Sequence, residues 1–292
     1  MSARRATSRQ AGRPAKARAV RRPVLVLKLG GELLEQPQDV ARVASGIAAL
    51  ARTSKLVVVH GGGREIDAGL AVAGIPKRQV DGLRVTDGPT LDVVVSVLGG
   101  AINTRLVAAV RRAGGDAVGL TGADAGVAVV RRLKPITTVA GETVDLGLVG
   151  EPVAAGATGA PALLQHLVKG GYTPVVACVG ATRTGELLNV NADTLASHLA
   201  VALGADRLVI AGGTSGVLDA NGQTIPQLAS RAAGRLIREG VANKGMVAKL
   251  EACRAALRAG VGDVIIANGR LVAFEALSDR NRTLDACTQV VS

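Results

Sequence analysis

Aromatic residues are almost absent from this sequence. Tyr172 and Phe274 are the only two in 292 residues, and there is no tryptophan. The hydrophobic core must therefore be built from aliphatic side chains, which dominate the 48% of the chain that is apolar. Because no aromatic residue lies among the basic ones, a stacking platform for single-stranded nucleic acid is excluded. The chain is long enough for one large domain or two lobes.

Cysteines are few and lack the spacing of a ligand or disulfide framework. Cys178, Cys253 and Cys287 are far apart and form no C-x-x-C pair, so neither a zinc site nor a disulfide scaffold is indicated. We expect them to be small buried residues of a cytoplasmic protein. No run reaches the roughly 18 consecutive apolar residues of a membrane span, so no membrane association is expected.

Acidic residues are missing from the N-terminal 23 residues. This segment contains eight basic side chains, so the net charge of +12 falls to about +4 (12 − 8) over the rest of the chain. We predict a disordered basic tail at 1–23. An organelle-targeting segment and a regulatory or nucleic-acid-binding arm are the alternatives, although nucleic acid is not the expected partner.

Short aliphatic runs alternate with stretches of helical periodicity in the remaining sequence. Apolar residues recur every three or four positions between about 87 and 113, for example, which predicts one long amphipathic helix. The alternation predicts an α/β fold, a three-layer αβα sandwich with a mainly parallel open central sheet of about eight strands. Shorter β-like pieces between 117 and 153 predict hairpins that flank or cover a substrate pocket.

Two glycine-rich turns follow predicted buried strands. The first run, 24–29, contains Lys28 and ends at Gly30-Gly31, and the second, 56–60, ends at His60 and leads into Gly61-Gly62-Gly63. Glycine after a strand allows backbone N–H groups to approach an anion closely. A buried lysine beside such a turn needs an anionic partner. The pair of turns therefore indicates phosphoryl transfer. His60 either orients its glycine turn or only packs at the strand end.

Other known phosphate-binding and catalytic patterns are absent. The sequence has no Walker motif, no dinucleotide fingerprint after a strand, and no protein-kinase or hydrolase signature. Two further segments place polar residues near predicted helix starts. Asn189, Asn191 and Asp193 alternate along one of them, which fits ligand contact or helix capping, and Lys249 lies early in another helix.

The order of these motifs resembles the acetylglutamate kinases of the amino-acid kinase superfamily. The resemblance spans roughly residues 24 to 270. It rests on Lys-x-Gly-Gly at 28–31, His-Gly-Gly-Gly at 60–63, Gly-Leu-Arg-Val-Thr at 82–86, Asn-Val-Asn-Ala-Asp at 189–193 and Gly-Met-x-x-Lys at 245–249, with 145–153 in support. It implies an open αβα sandwich and ATP-dependent phosphorylation of the side-chain carboxylate of N-acetyl-L-glutamate, a step of arginine biosynthesis.

The resemblance also implies a role for each matching residue. Lys28 and Lys249 would flank the transferring phosphoryl group, and Asp193 would hold both lysines. The acceptor would be bound by Gly61, Gly62, Arg84, Asn189 and Asn191. The phosphates and nucleotide would be bound by Gly30, Gly31, Gly212, Gly213, Thr214, Gly216 and Met246. In the family the nucleotide-side strand usually leads into an acidic loop, whereas here no acid precedes Asp219.

The chemistry agrees with such roles. The attacking carboxylate is ionised at neutral pH, so no general base is required. Catalysis then consists of positioning and charge neutralisation by two lysines, backbone N–H groups and the Mg²⁺ of ATP, which the nucleotide phosphates would hold without protein ligands. An arginine at position 84 suits a carboxylate because its planar fork can bind both oxygens.

We expect residues 24–292 to form one kinase domain. The N-lobe, 24–180, would bind acetylglutamate and dimerise, and the C-lobe, 181–292, would bind the nucleotide. Residues 1–22 lack the apolar periodicity of the helix that links dimers in arginine-inhibited members, which favours a homodimer. Some members bind a nitrogen-signalling protein, a further candidate partner. Two alternatives remain, namely a kinase for aminoadipate or glutamate on a carrier protein, and a non-catalytic acetylglutamate or arginine sensor.

Overall fold

The computed structural model describes residues 21–138, 141–154, 161–219, 221–242, 244–279, 282 and 284–292. The predicted basic tail lies outside the described residues except for its last three positions. Of these, Arg21 forms an ion pair with Asp206, and Arg22 donates a hydrogen bond to the Ser54 carbonyl oxygen.

A central sheet of eight strands confirms the predicted fold class. Its strands in chain order are β1 Val24–Leu29, β2 Lys55–His60, β5 Ala117–Thr121, β10 Thr173–Ala177, β13 Arg207–Gly212, β14 Gln227–Ala229, β15 Val264–Asn268 and β16 Cys287–Val291. Their order across the sheet is β14-β16-β15-β13-β1-β2-β10-β5. All neighbours are parallel except β15 and β16, and β16 lies between β15 and β14. The aliphatic runs predicted these strands because a parallel sheet is buried on both faces.

Helices cover both faces of this sheet. On one side α1, Pro37–Thr53, packs against α4, Asn103–Arg112. On the other side α6, Ala192–Ala202, packs against α8, Lys244–Arg258, which also contacts α7, Ser230–Arg238. The remaining helices are α2 Gly63–Val72, α3 Gly88–Val95 and α5 Ala162–Lys169. The buried ring of Phe274 fills the space that Gly46 of α1 leaves open.

The long helix predicted at about 87–113 is present but not uniform. Asp87 caps α3 by accepting a hydrogen bond from the Thr90 backbone N–H, and a π-helical segment, Ser96–Ile102, joins α3 to α4. Taken together, Gly88–Arg112 is long and apolar enough to cross a membrane by length and composition alone. Core helices of water-soluble proteins pass the same test. About a third of its most apolar window is buried in the single chain.

The prediction for 117–153 was wrong in one respect. Residues 117–121 are not part of a flanking hairpin but form β5, the edge strand of the central sheet beside β10. The rest of the region does form short strands: β6 Val130–Arg132, β7 Ile136–Thr137, β8 Thr143–Val144 and β9 Val149–Pro152. A second sheet, in the order β11-β12-β9-β6, includes β11 Val179–Ala181 and β12 Leu187–Val190. A two-stranded hairpin consists of β3 Gln79–Val80 and β4 Leu83–Arg84.

Candidate active site

The predicted site residues lie where the parallel strands end. Leu29 of β1 is in register with His60 of β2 and with Ala211 of β13, so the turns after these three strands meet at one edge of the sheet. In the sheet, β2 lies on one side of β1 and β13 lies on the other, so the strand order changes direction at β1. Such a change of direction leaves a crevice at the carboxyl ends of the strands, where ligands bind in open α/β sheets.

The two glycine turns touch each other. A Cβ atom on Gly31 would lie 2.8 Å from the Cα of Gly62, and a Cβ on Gly62 would lie 2.1 Å from Ile102 Cδ1. A side chain at position 31 would therefore meet the backbone of the second turn, and one at position 62 would displace the ends of the Ile102 and Leu98 side chains. Gly63 has nothing within 4 Å of its Cβ position. The absence of a side chain at Gly31 allows the two backbones to meet at the crevice.

Lys28 and Asp193 form a buried ion pair beneath these turns. Lys28 Nζ lies 2.9 Å from Asp193 Oδ1, and each side chain is only 8% exposed. Burial alone would lower the pKa of Lys28, but the adjacent Asp193 carboxylate, with a smaller contribution from Glu32, raises it above its ordinary value. The lysine is therefore held as a cation, and its charge is available to an anion in the crevice.

Asp193 is positioned by the start of helix α6. Asn191 is the N-cap, and its side-chain oxygen accepts hydrogen bonds from the backbone N–H groups of Asp193 (2.9 Å) and Thr194 (3.0 Å). Capping, the structural interpretation of this segment, is thus correct for Asn191. The amino termini of α6 and α2 both border the crevice, where their partial positive charge favours an anionic ligand.

A cleft of about 170 Å³ brings together the five residues predicted to bind the acceptor. Its lining includes Gly61, Gly62, Arg84, Asn189 and Asn191, with Cys178 beside them. The Asn189 side-chain amide donates to Thr86 Oγ1 at 3.2 Å, which fixes the orientation of the amide. Burial raises the pKa of Cys178 to about 12, so the thiol remains protonated. The polar part of the cleft wall therefore consists of neutral groups and one arginine, and the rest is apolar, with Ile66 and Leu98 among its residues.

Arg84 presents an unsatisfied donor within this cleft. Its Nη2 donates to Asp67 Oδ1 at 2.5 Å and to the Gly63 carbonyl oxygen at 3.2 Å, whereas its buried Nη1 has no hydrogen-bond partner among the described residues. The guanidinium side chain is 7% exposed. A buried donor without a partner costs about 1–3 kcal/mol, which a ligand carboxylate would recover. Asp67 orients the guanidinium, and a bound anion would complete its hydrogen bonds.

His60 supports the acceptor turn from below. The ring is fully buried, with Nδ1 3.2 Å from the Gly61 carbonyl oxygen and Nε2 3.1 Å from the Asn103 side-chain nitrogen. Because the Asn103 amide donates to Nε2, the proton must reside on Nδ1, which donates to Gly61. Burial lowers the pKa of His60 to about 4. Of the two interpretations of His60, orientation of the glycine turn is the one these contacts support.

The residues predicted to bind phosphate surround a carboxylate that the sequence analysis did not single out. Glu32 Oε1 accepts a hydrogen bond from the Gly213 N–H at 2.8 Å. A Cβ on Gly30 would lie 2.3 Å from Glu32 Oε2, and one on Gly212 would lie 2.9 Å from Glu32 Oε1 and 3.9 Å from Lys249 Cε. The Lys249 side chain therefore lies beside the glycines that surround Glu32, namely Gly30, Gly212 and Gly213. Its described hydrogen bond is to the Gly245 carbonyl oxygen at 3.4 Å, and its pairing with Asp193 stays a prediction.

The remaining predicted nucleotide residues line a separate slot. Thr214, Gly216 and Met246 border a cavity of about 120 Å³ whose other walls are apolar, formed by Val217, Leu218, Leu236, Val241 and Ala242. Leu218 and Val241 are 47% and 60% exposed at its rim. An apolar slot of this kind suits the flat face of a base better than a charged group.

Sequence reasoning missed Glu32, Asp67 and Asn103. Glu32 directly follows the Gly30-Gly31 pair, and that adjacency was the available signal. Asp67 lies one helical turn after Gly63 in α2, but its pairing with Arg84 joins residues far apart in the chain and left no local signal.

Comparison with known proteins agrees with this geometry. Residues 23–268 match the model of the amino acid kinase family. The chain is 39% identical to the acetylglutamate kinase of Novosphingobium aromaticivorans, over 84% of this chain and 83% of that protein. It is 41% identical to that of Methanopyrus kandleri, over 83% and 94%. Among solved structures, N-acetylglutamate synthase from Neisseria gonorrhoeae superposes with a TM-score of 0.75 at 24% identity, covering 93% of this chain and 60% of that one. This chain belongs to the amino acid kinase family.

Proposed function

We propose that the protein transfers the γ-phosphoryl group of ATP to the side-chain carboxylate of N-acetyl-L-glutamate, as an acetylglutamate kinase of arginine biosynthesis. The curated relatives at about 40% identity bear that name. The observation that carries the proposal is the unpartnered Nη1 of Arg84, a residue that lines the cleft, because a carboxylate bound there would complete the hydrogen bonds of the guanidinium. Asn189, Gly61 and Gly62 supply polar contacts for the other groups of the acceptor.

Transfer requires two anions to approach each other. Lys28 would neutralise charge on the phosphoryl group from the β1 side, and Lys249 from the α8 side. The N–H groups of Gly31 and Gly62 would donate to phosphate and acceptor oxygens at the contact between the turns. Fixed donors of this kind act mainly in the transition state and need no proton transfer from the protein.

We propose that Mg²⁺ reaches the site bound to ATP. Among the residues that the structure describes, no group of three or more His, Cys, Asp or Glu side chains could hold a metal ion. The donors around Gly213, its own N–H group and the side chains of Lys249 and Arg270, suit phosphate oxygens. The ion would offset the charge of the phosphate groups.

We propose a homodimer formed along the β5 edge of the sheet. Among the described strands β5 has a neighbour only on its β10 side, and the adjacent helix Gly88–Arg112 leaves Val93, Val97 and Val107 only half-buried in one chain. A second copy would cover both features. We further propose a cytoplasmic location, and a nitrogen-signalling protein remains a candidate partner. Light scattering during gel filtration should give the mass of two chains, and a monomer would contradict the dimer.

The first experiment is to measure ADP release from Mg-ATP with N-acetyl-L-glutamate, using glutamate, carbamate, UMP and aspartate as controls. Turnover with acetylglutamate alone supports the proposal. Turnover with another acceptor would assign a different substrate within the family, including a carrier-linked aminoadipate or glutamate. Binding of acetylglutamate without any turnover would indicate a sensor.

A further inference from the structure

The Glu32 carboxylate lies where phosphate oxygens would be expected to bind. It is enclosed by Gly30 of the first turn and by Gly212 and Gly213 of the β13 turn, three positions without side chains. One of its oxygens uses the Gly213 N–H, a donor that a phosphate would otherwise take. The one described hydrogen bond of this carboxylate therefore comes from a donor that could equally bind a phosphate oxygen.

Two cationic side chains border this carboxylate, and one of them, Arg270, is also paired with Asp39. Lys249 Cε and Arg270 Nη1 each lie 3.9 Å from a Cβ position on the same glycine turn, at Gly212 and Gly213 respectively. Glu32 also contributes to the raised pKa of Lys28. A carboxylate among these cations offsets their mutual repulsion while no phosphate is bound.

The backbone of Glu32 is fixed, whereas its side chain is held lightly. Arg270 Nη2 donates to the Glu32 carbonyl oxygen at 2.7 Å, and Arg270 Nε is in turn held by Asp39 Oδ2 at 2.9 Å. The side chain has one described hydrogen bond, to Gly213, and is half-buried at the crevice mouth. Rotation of the side chain would free the Gly213 N–H without moving the turn.

We infer that Glu32 is an internal anion that occupies the phosphate cradle between the Gly30 and Gly213 turns and is displaced when the nucleotide phosphates bind. Glu32 thereby sets the affinity for polyphosphates. The inference rests on the proposed ATP-binding role of these turns. ATP must compete with the carboxylate for the Gly213 donor and must overcome its charge.

The test is Glu32→Gln in the full-length protein. Glutamine keeps the shape and the acceptor oxygen but removes the charge, so calorimetry should show ATP and inorganic pyrophosphate binding about tenfold more tightly than to the wild type. Affinity for N-acetyl-L-glutamate should be unchanged. Glu35→Gln is the matched control, because the Glu35 carboxylate lies three residues on and pairs with Arg64 instead. This control should leave all three affinities unchanged.

Unchanged or weaker binding of pyrophosphate to a folded Glu32→Gln protein, as judged by its thermal unfolding, would overturn the inference. Glu32→Ala provides a second variant if glutamine disturbs the turn. A wild-type protein that binds pyrophosphate but neither binds ATP nor phosphorylates acetylglutamate would instead contradict the proposed function. The difference in pyrophosphate affinity between the wild type and Glu32→Gln would still decide the role of Glu32.

Discussion

The two sides of the crevice are built by different means. On the acceptor side, polar side chains are fixed by one another, as Arg84 is by Asp67 and Asn189 is by Thr86. On the nucleotide side, glycines expose the backbone and an apolar slot follows. Selectivity for the acceptor should therefore depend on a few irreplaceable side chains. Apart from Glu32 and Lys249, nucleotide binding should depend on backbone shape and tolerate most side-chain changes.

The largest effect is expected where the two sides meet, at Lys28. Lys28→Met removes a cation from the transferring group and leaves Asp193 buried without its partner. We expect kcat to fall by about 10²–10³ and stability by about 3–5 kcal/mol. Steady-state kinetics and thermal unfolding measure these changes. Lys55→Met, at the opposite end of the neighbouring strand, is the control and should change neither quantity greatly.

Acid should loosen the acceptor side through His60. Its pKa is about 4 in the folded protein and about 6.5 when unfolded, so the unfolded chain binds more protons between these values. The stabilisation is complete above pH 6.5 and is lost as pH falls toward 4, by about 3 kcal/mol. Urea unfolding across this range measures it. His60→Gln should flatten the profile, and the exposed His166→Gln should not; equal slopes in all three proteins would contradict the assignment.

Gly31→Ala tests whether the contact between the turns joins the two sides. The new Cβ would lie 2.8 Å from the Gly62 Cα, so the turns must separate at a cost of about 1–3 kcal/mol. We expect kcat to fall and the KM values of both substrates to rise. Gly63→Ala, whose Cβ would meet nothing within 4 Å, is the control. A rise in KM for only one of the two substrates would show that the acceptor and nucleotide sides are independent.

Arg84→Lys should affect the acceptor side alone. Lysine cannot keep the contact with Asp67 and also offer a second fixed donor, so KM for acetylglutamate should rise about 10–100-fold. KM for ATP should stay constant. The control is Arg78→Lys, because Arg78 pairs with Asp87 in an exposed position. An equal rise in both KM values would remove the distinction between the two sides.

The smallest effect is expected in the apolar slot. Met246→Ala removes part of one wall, which should weaken ATP binding about fivefold, or about 1 kcal/mol. Acetylglutamate binding should not change. Val247→Ala, next to it on α8 but outside the slot, serves as the control. A hundredfold loss of ATP affinity would mean that side chains matter on the nucleotide side as much as on the acceptor side.

Local patterns were enough to predict the framework. The strands that contain Lys28 and His60 are mainly aliphatic runs followed by glycine, and these features need no distant partner. β5 was misassigned because Ala117–Thr121 is short and contains a glycine at 119, so its pairing with β10 is what makes it a strand of the sheet. Tertiary context decided that element.

Site residues could be predicted where a motif identifies the residue type. They could not be predicted where the role of a side chain depends on a hydrogen-bond partner distant in the sequence. The resemblance supplied Arg84 and assigned roles to Asn189 and Lys249, which the pattern of polar residues had already indicated. The partner of Arg84 and the hydrogen bond from Asn103 to His60 join segments that only the folded chain brings together. Glu32 is adjacent in sequence to a recognised motif, yet its contact with Gly213 crosses the crevice.

The place of β16 between β15 and β14 has a consequence for the order of assembly. β14 pairs with β16 and with no other strand of the described sheet, so it cannot dock until β16, later in the chain, has been synthesised. On the ribosome the acceptor half can be complete while the β14 edge is still open. The nascent chain would then be able to hold its acceptor cleft in shape before the nucleotide half closes.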